Sequence, residues 1–412
     1  MKSLKRRKFT DKAAHWVIKL GGAATVLVIL ALFFFIFLEV YPLLQGARVT
    51  KENTYTLHGK AVSIGVDDHQ EITYAIYSDG KIEFISLLDG EIFKKYQMAG
   101  LNGSSITSVS KEHNRLILGT NDGRVLTVSI NFSESFDQEK RIILPDISEM
   151  EAVQVNNEGK GIHCVISRSD ENASVTAVHT EDGKLVLISS VVERALFGEG
   201  ERKEIKRDIT DLVVPHSLNQ ITPSTSPPSQ EEAGKPAPGT MLVSHNPIHL
   251  TEQENKIEIT SLALDLFMEN LYVGTSLGEL FHINVRDRSN PYLVEKARVS
   301  DKAITALGFL LGDVSLVIGD AGGGVNVWMQ VRDEMRSSGW ALNKVHTLTS
   351  HHAKVIAVTS SMRDKGFVTL ATDGTIHLNH ATSEQTLLNF KTQSIPTALV
   401  FSPKANGILA AD

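Results

Sequence analysis

Cysteine is nearly absent from this chain of 412 residues; Cys164 is the only one. A single thiol excludes an internal disulfide framework and any zinc site built from several cysteines. Aromatic residues make up 6%, too few for a base-stacking platform. Positive charge is also short. With 41 Lys and Arg against 48 Asp and Glu the net charge is −7, so nothing overall attracts phosphates and no nucleic-acid partner is expected. After residue 38 no second apolar run of about 18 residues occurs, and after residue 53 no stretch keeps a helical period. What is present is ordinary for a folded chain, 42% hydrophobic and 22% charged. The length fits two or three domains or one large all-β domain.

The charge is unevenly placed. Lys2, Lys5, Arg6, Arg7, Lys8, Lys12 and Lys19 stand against Asp11 alone in the first 19 residues, so the remainder is more acidic than the whole. Residues 20–38 then read LGGAATVLVILALFFFIFL without a charge. As a helix rising ~1.5 Å per residue, this run covers about the hydrocarbon thickness of a bilayer. Trp16 and Tyr41 flank it, where aromatic rings favour the water interface. A transmembrane helix over 20–41 is therefore expected, with residues 1–19 as a basic cytoplasmic segment held by lipid headgroups and Lys19, Trp16 and Tyr41 as anchor flanks. A signal peptide usually has a shorter apolar run, of about 7–15 residues. Leu44-Gln45-Gly46-Ala47 is the stretch that such cleavage would use. No cysteine follows the run, so a lipoprotein is excluded. A buried core helix does not explain the basic cluster. The positive-inside rule places the rest of the chain across the membrane, in a bacterial periplasm or its equivalent.

Beyond residue 53 the apolar runs are short, alternating and rich in Val, Ile and Thr, with Asp-Gly or Gly-rich turns between them, which predicts an all-β fold. They recur as units. Ile106-Thr107-Ser108-Val109, Ile259-Thr260-Ser261-Leu262 and Ile304-Thr305-Ala306-Leu307 are alike, and Val355-Ile356-Ala357-Val358 is a weaker copy. Each precedes an apolar strand, a glycine turn and another strand. The turn glycines Gly80, Gly123, Gly278, Gly324 and Gly374 supply positive φ, and neighbouring ones stand roughly 43–50 residues apart. A period of about 40–45 residues with four strands per unit is the signature of a β-propeller. A lone blade cannot bury both faces, whereas a ring of blades covers each one. The expected domain spans 53–412, with seven blades, or eight as the alternative count. Residues 175–189 supply a further unit, and Asp208-Ile209-Thr210-Asp211-Leu212 reads as the first strand of a degenerate one. Residues 215–253 break the pattern. Their Pro/Ser/Thr-rich core at 222–239 predicts a disordered insertion loop.

Two resemblances follow from these residues. His351-His352-Ala353-Lys354-Val355 and Ala371-Thr372-Asp373-Gly374-Thr375-Ile376-His377-Leu378 resemble a WD40 repeat, and Val325-Asn326-Val327-Trp328 and Phe401-Ser402-Pro403 resemble pieces of others. This implies a WD40-like propeller, not a particular partner. Asp11-Lys12-Ala13-Ala14-His15-Trp16-Val17-Ile18, Gly21-Gly22 and Val40-Tyr41-Pro42-Leu43-Leu44-Gln45-Gly46-Ala47 resemble the start of the long-form phosphate ABC transporter permease (PstC-type) of proteobacteria. In that family a first membrane helix precedes a propeller-like insert, and the permease helices follow. Those later helices have no counterpart here, so phosphate conduction transfers to no residue. The chain ends two strands into a blade, unless residues 54–58 complete it, and a fragment or split gene product is expected.

The chemically suggestive residues have plainer readings. Adjacent strand residues such as His351 and His352 point to opposite sides and rarely chelate together; His352 is expected to bond within its blade, towards Asp373. Gly322-Gly323-Gly324 lacks the Lys-Ser/Thr and the helix of a phosphate cradle and reads as a hairpin turn. Cys164, although beside His163, lies in an apolar strand as an inert thiol. No Gly-x-Ser-x-Gly elbow occurs. Asp79, Asp122 and Asp373 sit in turns, where they bond the backbone. Asn102, Asn131 and Asn172 begin glycosylation triplets that carry little meaning in a bacterial chain. No catalytic residue, metal site or cofactor is expected. The resemblance implies a non-enzymatic, inner-membrane propeller of a phosphate importer, in contact with that importer's other subunits. The alternatives are a free-standing envelope scaffold and, more remotely, an enzyme on a propeller such as a quinone-dependent dehydrogenase or a glycan lyase.

Overall fold

The computed structural model describes residues 2–41, 49–137, 140–155, 158–194, 203–212, 257–336, 339–404 and 406–412. They belong to two units, residues 1–52 and 53–412. The first is built on one helix, Lys2–Val40. It begins well before residue 20 because no Gly or Pro precedes Gly21 and the basic segment is rich in helix formers. Its stretch His15–Val40 is long and apolar enough to cross a membrane. All side chains described along it are exposed. Inside the apolar run the Thr25 hydroxyl donates to the Gly21 carbonyl at 2.9 Å, so this polar group is satisfied within the helix.

The described residues of the second unit form a β-propeller of seven blades. Six antiparallel sheets span residues 61–97, 106–154, 162–212, 259–298, 304–347 and 355–391, and in each the strands follow chain order from the axis outwards. Blade 2 adds a short fifth strand, Val153–Gln154, against its third. Blade 7 has two strands, Ala398–Phe401 and Ile408–Ala411. The inner strands are Ala61–Val66, Ile106–Glu112, Ile162–Ser169, Ile259–Leu264, Ile304–Phe309, Val355–Ser360 and Ala398–Phe401. Each packs against the next and the last packs against the first, so the ring closes. Residues 53–60 form no strand. Leu57 instead packs with Ala61, Tyr77, Leu409 and Ala411 between blades 7 and 1.

The repeated Ile-Thr-Ser/Ala element owes its form to this ring. Its threonine hydroxyl lies between the second strand of its own blade and the inner strand of the next. Thr107 faces the carbonyls of Gly119 and Ile162, Thr260 those of Gly274 and Ile304, and Thr305 those of Gly319 and Val355. The glycines opposite are equally constrained. A Cβ on Gly119, Gly274 or Gly319 would lie 2.6, 2.7 or 2.6 Å from Ile162, Ile304 or Val355 of the next blade. The core is accordingly a series of inter-blade clusters of aliphatic side chains, with Phe84, Phe281 and Phe367 fully buried among them.

Two details differ from the sequence reading. Asp208-Ile209-Thr210-Asp211-Leu212 lies in Lys203–Leu212, the outer strand of blade 3, paired with Leu185–Arg194. An outer strand alternates polar and apolar residues, and here that alternation imitated the inner-strand motif. In the Gly322–Gly324 turn the positive φ belongs to Gly323 (+89°), not Gly324; the other four turn glycines fall as expected. The stretch 215–253 lies outside the described residues.

Candidate interaction site

Among the described residues an open cleft lies between blades 4 and 5, at the end of the ring where the first and second strands turn, and another, of about 410 Å³, lies beside Arg124 and Glu149. The first encloses about 320 Å³, at the lower end for small-ligand pockets, which run from about 300 to 1,000 Å³. Its walls carry Tyr272 and Phe309, with Trp328 and Trp340 on the third and outer strands of blade 5. Tyr272 stacks on His282 with ring centroids 4.6 Å apart and meets Phe309 edge-on at 5.6 Å.

A polar chain holds this wall rigid. Asp265 accepts from the backbone N–H groups of Glu269 and Asn270 and from Asn270 Nδ2. Asn270 Oδ1 accepts from His282 Nε2 at 2.8 Å, and His282 Nδ1 accepts from Gln330 Nε2 at 2.8 Å across the blade boundary. Those partners require the neutral imidazole with its proton on Nε2. Burial agrees, lowering the His282 pKa to about 4. The ring is thus fixed as a platform behind Tyr272.

Asp313 lies at the edge of the cleft. Burial raises its pKa, against the pull of the Arg168 guanidinium 3.7 Å away. Arg168 also reaches Glu112 at 3.7 Å and donates to the Leu264 carbonyl at 3.2 Å, so it ties blades 2 to 5 together. The Trp328 indole N–H is buried and meets no acceptor among the described residues.

The same turns expose apolar side chains. Leu266 and Phe267 come from the first turn of blade 4, Leu311 and Val314 from that of blade 5, and Met335 from the last turn of blade 5. Trp340 is 50% exposed at the mouth. Of these, Val314 and Trp340 line the cleft itself, and the others lie in the turns beside it.

Trp328 apart, the residues singled out from sequence lie elsewhere. His351, not His352, is the buried member of its pair, and it bonds Thr369 Oγ1 at 2.8 Å while His352 is exposed. The His351 ring stacks on His377 at 3.7 Å. Burial lowers the His351 pKa to about 4, and His377 beside it adds to the shift. Asp373 does not reach either histidine; its carboxylate accepts from the Thr375 N–H and hydroxyl. No group of three or more His, Cys, Asp or Glu stands together as a metal site among the described residues. Burial pushes the Cys164 thiol up to about 12, the opposite of a nucleophile. His163 turns its ring to His179, 5.7 Å away. Asp79 and Asp122 lie in hairpin turns, bonding Lys81 N–H and the Thr120, Ser104 and Arg124 side chains. Trp16 and Lys19 lie on the helix. Tyr41 follows its last turn, with its ring 5.9 Å from Phe37.

Comparison with known proteins agrees on the fold. No family model matches the chain, and no curated protein matches it. Among solved structures, it is similar to the β-propeller domain of Myceliophteria thermophila Cps50 (Swd1). The TM-score is 0.55 at 11% identity, over 87% of this chain and 94% of that one. Such similarity at such low identity shows architecture alone. The second unit is a WD40-like β-propeller, preceded in the chain by an apolar helix capable of crossing a membrane.

Proposed function

We propose that this chain is a non-enzymatic, membrane-tethered interaction scaffold, its helix in the bacterial inner membrane and its propeller in the periplasm, docking a protein at the cleft between blades 4 and 5. The observation that carries this is a cleft lined by Tyr272, Phe309, Trp328 and the half-exposed Val314 and Trp340, with exposed Leu266, Phe267, Leu311 and Met335 in the turns that adjoin its lining residues. Aromatic anchors in a partly desolvated hollow are what protein interfaces concentrate. A rigid wall, held by the Asp265–Asn270–His282–Gln330 chain, lowers the ordering cost of binding. The test is photo-crosslinking in native membranes from a benzoylphenylalanine at Met335. The expected result is a discrete adduct to one protein, lost when Trp340→Glu is added. An adduct unaffected by that change, or no adduct, contradicts the proposal.

A second reading rests on the N-terminal residues 11–18, 21–22 and 40–47, which resemble the phosphate permease. In that reading the docked protein is another subunit of a phosphate importer, and the propeller has a regulatory role in transport. The same crosslink separates the two readings by the identity of the adduct. Proteoliposomes holding this chain alone are expected to show no phosphate flux.

A further inference from the structure

The cleft between blades 4 and 5 is negative as well as aromatic. Two carboxylates, Asp265 and Asp313, stand among its lining residues, and no Lys, Arg or His stands with them among the described residues. They come from the first turns of neighbouring blades, after Ile259–Leu264 and Ile304–Phe309. Closing the ring therefore sets two like charges on one wall. Asp265 is well served by the three hydrogen bonds of its own turn. Asp313 is not. Its side chain is 12% exposed, and its Oδ2 is buried without a hydrogen bond. Arg168 stands 3.7 Å from it and the same distance from Glu112, so one guanidinium is shared by two carboxylates. Lys365, whose charge also reaches Asp313, gives its ammonium to the Leu311 carbonyl. A negative charge left undercompensated in a low-dielectric wall favours an incoming cation.

The rest of the lining suits the same ligand. Tyr272, Phe309, Trp328 and Trp340 bring ring faces, which attract cations. The ring stacked behind Tyr272 is the neutral imidazole of His282, which adds no repelling charge. A guanidinium is planar and weakly hydrated. It can lie flat on an aromatic ring while donating sideways to a carboxylate, which an ammonium cannot do. A cleft of about 320 Å³ admits one long side chain rather than a folded element.

We propose that the docked protein inserts an arginine side chain into this cleft, with its guanidinium beside Asp313 and against the aromatic wall. The source of the arginine rests on the docking proposed for the same cleft. The preference of the cleft for a guanidinium does not.

The chain supplies its own reporter. Of its three tryptophans, Trp328 and Trp340 line the cleft and Trp16 does not. The full-length protein in detergent, carrying Trp16→Phe, therefore reports the cleft by fluorescence. Expected is a saturable change with N-acetylarginine amide, half-complete on the order of 1 mM. The uncharged isostere N-acetylcitrulline amide should bind at least about 10-fold more weakly. Asp313→Asn should weaken the arginine response by about 10-fold. Position 313 has a φ of +51°, which asparagine tolerates, so the turn should persist. Asp301→Asn, at a 94% exposed side chain in the turn between the two blades at the opposite end of the ring, should change nothing. In native membranes Asp313→Asn should also remove the adduct formed from benzoylphenylalanine at Met335.

Equal responses to the two amides, or no response, overturn the inference; a Met335 adduct formed all the same would leave docking standing without its arginine. Tighter saturation by choline than by the arginine amide would mark a small-ligand site and also overturns it. So does an adduct that survives Asp313→Asn. A selective response to the arginine amide with no adduct in membranes contradicts the docking and upholds the cleft's choice of cation.

Discussion

Thr397 donates its hydroxyl to the carbonyl of Ala61 at 2.7 Å, joining the last blade to the first across 336 residues of chain. It repeats at the closure point what Thr107, Thr260 and Thr305 do between successive blades. Thr397→Val keeps the shape and leaves the Ala61 carbonyl without this donor. The expected loss is about 1 kcal/mol, read as a lower urea midpoint of the full chain in detergent.

The glycines facing the next blade test packing rather than backbone freedom. Gly274→Ala and Gly319→Ala place a methyl within 3 Å of Ile304 and Val355. Neither glycine has positive φ, so the penalty is steric, about 1–3 kcal/mol from displaced neighbours. Gly183→Ala is the contrast. It has open space but a φ of +84°, and it should cost about 1 kcal/mol through backbone strain alone. Pairing Gly274→Ala with Ile304→Val should recover part of the loss, while no second substitution should rescue Gly183→Ala.

Acid should weaken the fold before its carboxylates titrate. Burial holds His179, His282 and His351 neutral, with pKa values of about 4 against the usual 6.5. The unfolded chain takes up these protons first. Stability is therefore full above pH 6.5 and falls as the pH drops from 6.5 towards 4, by at most about 1.4 kcal/mol per pH unit for each histidine. Glu83 acts lower. Burial would raise its carboxyl, but hydrogen bonds from Lys81, Tyr77 and His58 outweigh that and hold it at about 2. Its contribution is present above 4.5 and is lost as the pH falls through 2. Urea midpoints at pH 7, 5.5 and 4.5 check the first window, and His282→Gln should flatten it by one histidine's share.

The two cleft tryptophans should separate stability from docking. Trp340 is half-exposed, so Trp340→Ala should change stability by at most about 1 kcal/mol while removing the anchor at the mouth. Trp328 lines the inner wall among Leu316, Leu342 and Phe309. Trp328→Ala should cost about 3–5 kcal/mol. Trp328→Phe should cost much less, because the indole N–H serves no acceptor among the described residues. Thermal melts together with the Met335 crosslink distinguish these outcomes.

The ring was legible in sequence where one residue does one repeated job. Thr107, Thr260 and Thr305 bond across the same boundary each time, so their motif recurs, and Gly80, Gly123, Gly278 and Gly374 each close a turn at positive φ. Blade 3 was harder to read because its long hairpins lack that inner-strand threonine; Ile162-His163-Cys164 stands in its place. His351 and His352 are neighbours, and alternation fixes only that one of them points inwards. The cleft had no local signal. Tyr272, Phe309, Trp328 and Trp340 come from four strands of two blades, and only the ring brings them together. The sequence around Trp328 carries a repeat-like pattern and no sign of this wall.

In the proposed topology the helix crosses the membrane and the propeller lies across it from the basic N-terminus. Its most direct test is labelling of introduced cysteines by a membrane-impermeant maleimide in intact spheroplasts; Cys164, with its thiol pushed up to about 12, stays silent as background. Glu171→Cys, in an exposed propeller turn, should label without lysis, and Lys5→Cys only after it. Labelling of Lys5→Cys alone before lysis, or of neither, contradicts the account.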